Sequence, residues 1–181
     1  MRFPQTLGHF ESSRPLTVDL TYCISGIDLP PLHTEFAFTA RVALAPLIVI
    51  GQGPEGLRRY VPILGGTVEG PLLQGTVLAA GGDSQVLRAD HVLSVEARYI
   101  IRTADGVNVS VVNRGIRHGP PDVIARLTAG GRVSPDEYHF RTAALFEAPL
   151  GSTAEWLNKS IFIGRAEREP DAAIVHFFRV L

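Results

Sequence analysis

Several separated segments of this chain set polar side chains beside glycines or aromatics. Gly81-Gly-Asp83 is followed by Ser84, Gln85 and Arg88, and Asn113-Arg-Gly-Ile-Arg-His118 gathers donors at the end of a strand-like run. Tyr138-His-Phe-Arg141-Thr142 mixes aromatics with charge, and Trp156-Leu-Asn158 opens the next run. The chemistry such residues can do is proton transfer. A carboxyl group in an apolar cavity has a raised pKa and exchanges protons near neutrality. An Arg or Tyr beside it stabilises a developing enolate-like oxyanion. On that basis Asp83 is the candidate general acid/base, Arg98 or Arg141 the oxyanion partner, and Tyr138 a further catalytic candidate. Gln85, Glu96, Asn113, Trp156 and Asn158 are the candidates for substrate contact. The plainer reading of each segment is a solvated outer face, a hairpin turn or a structural aromatic corner. Strand parity alone does not say whether Glu96 and Arg98 face the lumen or the solvent.

Other motifs carry less. Gly51-Gln-Gly-Pro-Glu-Gly56 is a literal G-x-G-x-x-G after strand-like Leu47–Ile50. A dinucleotide fingerprint needs a helix to begin there, so that its amides face the pyrophosphate. The continuation Leu57-Arg-Arg-Tyr-Val-Pro-Ile63 is β-like, and Pro62 interrupts a helix. A glycine-rich loop is therefore expected, with no dinucleotide and no other cofactor. Histidines at 9, 33, 91, 118, 139 and 176 form no H-x-H or H-x-x-x-H pair, so no metal is expected. The chain shows neither a G-x-S-x-G elbow nor a P-loop. Cys23, the only cysteine, sits in the alternating run 16–24 and reads as a small packed hydrophobe.

These residues need a frame, and the frame reads as β. Gly and Pro punctuate the chain at short intervals, and the segments between them favour Val, Ile, Thr, Phe and Tyr. Strands are expected over 16–24, 34–43, 58–69, 72–79, 92–103, 107–114, 138–147, 159–167 and 172–180. Leu93, Val95, Ala97, Tyr99 and Ile101 alternate with Ser94, Glu96, Arg98 and Arg102, as a half-buried strand requires. Asp105-Gly106 suits a tight hairpin, because this pair tolerates positive φ. Arg168-Glu-Pro-Asp171 joins a second hairpin. Helix is expected only over 122–127, stopped by Gly130-Gly131, with a short turn around 152–157. The expected fold is all-β: one antiparallel barrel of about eight to ten strands with one short helix, which removes exposed edges.

Composition narrows the partners. A formal net charge of −1 and a single lysine, Lys159, give no basic block, so nucleic acid and anionic membrane surfaces are poor partners. One cysteine excludes an intrachain disulfide and suits a reducing, cytoplasmic compartment. Residues 1–11 lack the apolar core of a signal peptide. The longest apolar run, Val42–Ile50, contains Pro46 and is too short to span a bilayer as a helix.

Taken together, Gly65-Gly-Thr-Val-Glu-Gly-Pro71, Gly81-Gly-Asp83 with Gln85, Ala97-Arg-Tyr99, Asn113-Arg-Gly115, Tyr138 with Phe140-Arg-Thr142, and Trp156-Leu-Asn158 with Phe162 resemble the family known as domain of unknown function 3237. The motifs come in the family's order over roughly residues 30–181. The resemblance implies a compact antiparallel β-barrel and supplies no reaction. Ser84 departs from the Trp that commonly follows the Asp, a change that enlarges or polarises a pocket. Residues 1–29 lie outside the pattern, and a plug, an extra strand or a dimer arm are the roles open to them.

A small barrel either fills with side chains or holds one small ligand, and the polar groups favour the ligand. The expected function is a cofactor-independent isomerase, cyclase or hydratase/lyase acting on a small, largely apolar carbonyl or aromatic molecule. The alternative is a non-catalytic carrier or sensor of the same ligand. A third reading is an interaction module that forms a homodimer through a barrel face and the N-terminal segment.

Overall fold

The computed structural model describes residues 30–181; the expected strand 16–24 with Cys23, and His9, lie outside the described residues. Alternation of apolar and polar side chains builds nine strands: β1 (Thr34–Leu44), β2 (Ile48–Gly53), β3 (Gly56–Glu69), β4 (Gly75–Leu87), β5 (Leu93–Thr103), β6 (Asn108–His118), β7 (His139–Glu147), β8 (Ile161–Arg168) and β9 (Ala172–Val180). Every pairing is antiparallel. The order runs β1-β9-β8-β7-β6-β5-β4-β3, and the second half of β3 pairs back onto β1. Eight strands thus close into a barrel, and β2 remains outside as the hairpin partner of the first half of β3. The Gly51–Gly56 motif closes this β2–β3 hairpin and is followed by strand, so no helix N-terminus stands behind it.

Three elements depart from the expected boundaries by more than two residues, among them β6, which runs to His118 where 114 was expected. β2 was not among the expected strands. β4 runs to Leu87, although a glycine pair at 81–82 reads as its end. The chain continues through these glycines by a bulge. Val77 pairs with Ile101 and Gly81 with Tyr99, so four residues of β4 advance against two of β5. Gly81 has φ +97, and a Cβ there would lie 2.1 Å from the Arg98 carbonyl, which only glycine avoids.

Inside, odd-numbered residues of β5 and β6 face the lumen, as the alternation predicts. The two ends of the lumen differ. Toward the start of β1 and the end of β7, Phe38, Phe146, Phe162 and Phe177 interlock with ring centroids 4.9–6.4 Å apart. These edge-on and tilted contacts suit aromatic quadrupoles and seal that end. A 3-10 turn, Glu155–Lys159, carries Trp156 onto Phe162. The opposite end is formed by the start of β3, the end of β6 and the start of β7. There the helix α1 (Pro121–Thr128) joins β6 to β7, with Pro121 opening it and Val123 and Leu127 buried one turn apart. Gly130 at φ +80 follows its end.

Candidate functional site

The lumen below the aromatic plug can be read as rows of cross-strand neighbours. One row holds Val61, Asp83, Ala97, Asn113 and Ala144. The next, toward the open end, holds Arg59, Gln85, Val95, Gly115, Thr142 and Gly164. Beyond it come Leu57, Leu87, Leu93, Arg117 and Phe140. Small residues therefore stand between polar ones, and the space they leave is a cavity. Its volume is ≈ 50 Å³, and Asp83, Tyr99, Asn113 and Thr142 line it beside apolar Ile63, Val95 and Phe140. A cavity of about 150 Å³ holds a benzene ring; this one is smaller than that.

The polar atoms of this cavity are unusual in lacking partners. Buried polar groups are nearly always hydrogen-bonded. Yet Asp83 Oδ1, Tyr99 OH, Asn113 Oδ1 and Thr142 Oγ1 are sealed from solvent with no hydrogen-bond partner among the described residues. Four such atoms surround one small space, where a ligand's polar groups could pair with them. The other carboxylate oxygen, Asp83 Oδ2, accepts from Gln85 Nε2 at 2.6 Å, and Gln85 Oε1 accepts from Arg59 Nη2 at 2.9 Å. Burial pushes the Asp83 carboxyl up from 3.8 to about 6, against the Gln85 hydrogen bond and the nearby Arg117 and Arg59 charges. The carboxyl therefore changes protonation state close to neutrality. Burial also pushes the Tyr99 phenol above its ordinary range, so it stays a neutral donor.

The candidate residues separate clearly. Asp83, Gln85 and Asn113 share the lumen. Glu96 and Arg98 do not: even-numbered positions of β5 point outward, and Arg98 is ion-paired to Glu96 at 2.7 Å, which also binds Arg114 at 2.7 Å. Arg141 likewise stands on the outer face, donating to the Phe140 carbonyl at 3.0 Å. An oxyanion partner for Asp83 is thus provided by neither of the two arginines expected. Tyr138 is buried outside the cavity wall, where its hydroxyl accepts from the Arg168 amide at 2.9 Å. Asn158 clamps Ala148, accepting from its N–H at 2.8 Å and donating to its carbonyl at 2.9 Å. Trp156 packs on Phe162 and under Arg179, on the plugged side.

Sequence reading missed Arg59, Tyr99, Arg117 and Thr142 as site residues. Parity was the available signal, since Tyr99 shares the inward face of β5 and Arg117 that of β6 with Asn113. His118 and His139 meet as a stacked pair at 4.8 Å across β6 and β7. Among the described residues no three His, Cys, Asp or Glu side chains are grouped to hold a metal ion. Among the same residues no helix is long and apolar enough to cross a membrane.

Comparison with known proteins places this barrel. The family described as protein of unknown function (DUF3237) matches residues 32–180, which is the whole of the barrel just described. The chain belongs to the DUF3237 family. Its relatives include a UPF0311 protein of Rhodopseudomonas palustris, 37% identical over 84% of this chain and 99% of the relative. A crystal structure of a conserved protein of unknown function from R. palustris superimposes with a TM-score of 0.81 at 36% identity, covering 84% of this chain and 100% of that one. A more distant relative of this DUF3237 chain is a hydroalkoxylation enzyme of Penicillium herquei, 33% identical over 45% of this chain and 54% of the relative. The structure of an enzyme from the same fungus shares the fold, with a TM-score of 0.64 at 21% identity over 87% of this chain and 100% of that one.

Proposed function

We propose that the barrel is an acid/base enzyme in which Asp83 moves a proton on a small, largely apolar carbonyl or aromatic substrate. One observation carries this reading: a carboxyl group with one oxygen free of partners, aimed at an apolar cavity and titrating near pH 6. A group with its pKa close to the working pH both takes and gives protons at useful rates. Gln85, itself held by Arg59, donates to the other oxygen, so the carboxyl is oriented as well as tuned. Tyr99 OH and Thr142 Oγ1 supply neutral donors for an oxygen that gains charge, in the role first given to arginine. The reaction class that fits is isomerisation, cyclisation or addition across a double bond. In an addition, one proton leaves a hydroxyl as its oxygen bonds to carbon, and one arrives at the neighbouring carbon; a single carboxyl can serve both steps. The name of the Penicillium relative, a hydroalkoxylation enzyme, belongs to this class.

The test is Asp83→Asn, assayed against aryl ketones and alkenyl phenols in deuterated water. The variant keeps the shape and the Gln85 hydrogen bond but loses the exchangeable proton. Its ligand affinity should stay near that of the parent while turnover falls by about 10²–10⁴-fold, the usual contribution of a positioned acid or base. The parent should place deuterium on the carbon next to the carbonyl, and the variant should not. A ligand that binds the parent tightly yet emerges unchanged and undeuterated would make the barrel a carrier.

A further inference from the structure

We propose that the ligand of this cavity carries a carboxylate, which Arg117 and Arg59 bind at the charged end of the barrel while the far apolar end of the ligand reaches toward Asp83. The inference deepens the reading above by naming the substrate class, and it rests on that cavity being the ligand site.

Three arginines converge at this end. Arg59 lies on the second inward row of β3, Arg117 on the last inward row of β6, and Arg168 closes β8. They are not equally free. The Arg168 guanidinium is spent on its own hairpin, donating to the carbonyls of Glu169, Pro170 and Ala172. Arg59 uses Nη2 on Gln85, but its Nε is sealed from solvent with no acceptor. Arg117 makes no side-chain hydrogen bond and no ion pair among the described residues. Its guanidinium stands only against the Phe140 ring, 5.8 Å from the centroid, and Phe140 is part of the cavity wall.

The Arg117 guanidinium is half-buried with five donors and no acceptor among the described residues, so those donors stand open to a ligand's oxygens. The carboxylate nearest in charge, Asp83, is bonded to Gln85 and does not reach Arg117. Burial, with Arg59 and Arg168 close by, pushes Arg117 down to about 10, so it remains cationic at neutral pH. Asp171, the other nearby acid, acts on Arg168. Three cations against these two acids leave an excess of positive charge at the end from which a ligand enters. A carboxylate suits the free groups best, because the planar guanidinium fork takes two oxygens in parallel.

Benzoate, cinnamate and 1-naphthoate, each with its primary amide, form a probe set in which shape is constant and charge is not. Binding is read by calorimetry and by chemical-shift changes of the Arg117 side chain. At least one acid should bind about tenfold or more tightly than its amide. Arg117→Met should remove that preference by weakening the acid more than its amide, and Arg117→Lys should restore part of it. The far-UV spectrum and melting temperature of each variant check the fold, and the acid-against-amide comparison on the parent chain stands without any variant. Equal binding of acids and amides, no binding of any acid at millimolar concentration, or an unchanged preference in Arg117→Met would overturn the proposal. The readout is independent of turnover. Acid-selective binding without Asp83-dependent deuterium exchange keeps the carboxylate site and sinks only the enzyme.

Discussion

At the scale of single residues, Asp83 sets a pH dependence that can be separated from every other carboxyl in the chain. Its folded pKa, about 6, lies above the unfolded value of 3.8. Below pH 3.8 both states are protonated and the residue contributes no difference. Between about pH 4 and 6 the unfolded chain releases the proton and the barrel retains it, so stability falls as pH rises; above 6 the penalty is constant. At 1.36 kcal/mol per decade the full effect is on the order of 2–3 kcal/mol. Glu96, held below its ordinary value by Arg114 and Arg98, works in the opposite direction. That contribution is common to parent and variant, and it cancels between them. Urea unfolding of the parent and Asp83→Asn should therefore coincide near pH 3.5, with the variant more stable by that amount at pH 7. A variant less stable than the parent at pH 7 would mean that the carboxylate stabilises the lumen, against this assignment. Asn158 offers a contrast. Its two bonds to Ala148 fix the strap after β7, so Asn158→Ala should cost about 1–3 kcal/mol and leave ligand affinity unchanged.

At the scale of elements, the site depends on where strands place small residues. Thr142 stands between Gly115 and Gly164 in one row, and these glycines are not equivalent. A Cβ at Gly115 would lie 2.3 Å from the Arg141 carbonyl, which is backbone held in the β6–β7 ladder. A Cβ at Gly164 would instead lie 2.2 Å from Thr142 Oγ1, a side-chain atom. Gly164→Ala should thus destabilise the barrel by about 1–3 kcal/mol through overpacking, and Thr142→Ala in the same chain should recover most of it. Gly115→Ala should not be rescued by Thr142→Ala. Thermal unfolding of the single and double variants distinguishes the two, and equal rescue would show that the ladder yields. The same register explains what the sequence allowed one to see. β5 alternates without interruption, so its division into two faces was legible, though not which face turns inward, and the barrel followed from such runs with their hairpin turns. Asp83 was legible as a carboxyl beside glycines, but its place inside a strand was hidden, because a bulge and a chain end both present as Gly-Gly. Arg98 and Arg141 look as chemical as Arg117 in one dimension. Only the pairing of β5, β6 and β7 sorts them, turning two outward and one inward.

At the scale of the whole molecule, the barrel has one sealed end and one charged end, and every element needed for both lies between β1 and β9. The interlocked phenylalanines come from β1, β7, β8 and β9, while the cavity and its arginines come mainly from β3 to β7. Closure by the β1–β3 pairing makes these halves interdependent: without it, β1 and β3 would present open edges and the lumen would lose its wall at Val42 and Ile63. The R. palustris relative is matched over 99% of its length by 152 residues, so a chain of about barrel size suffices in that protein. A chain of residues 30–181 should accordingly fold alone, with a far-UV spectrum dominated by strand and helix well below the roughly one-third typical of globular domains. Its denaturant unfolding should be a single cooperative transition, because one closed sheet leaves no part to melt separately. If the cavity is complete within the barrel, the shortened chain should also show the pH 4 to 7 stability loss of the full chain and lose it on Asp83→Asn. A shortened chain that folds but no longer shows that pH dependence would overturn a cavity complete within residues 30–181.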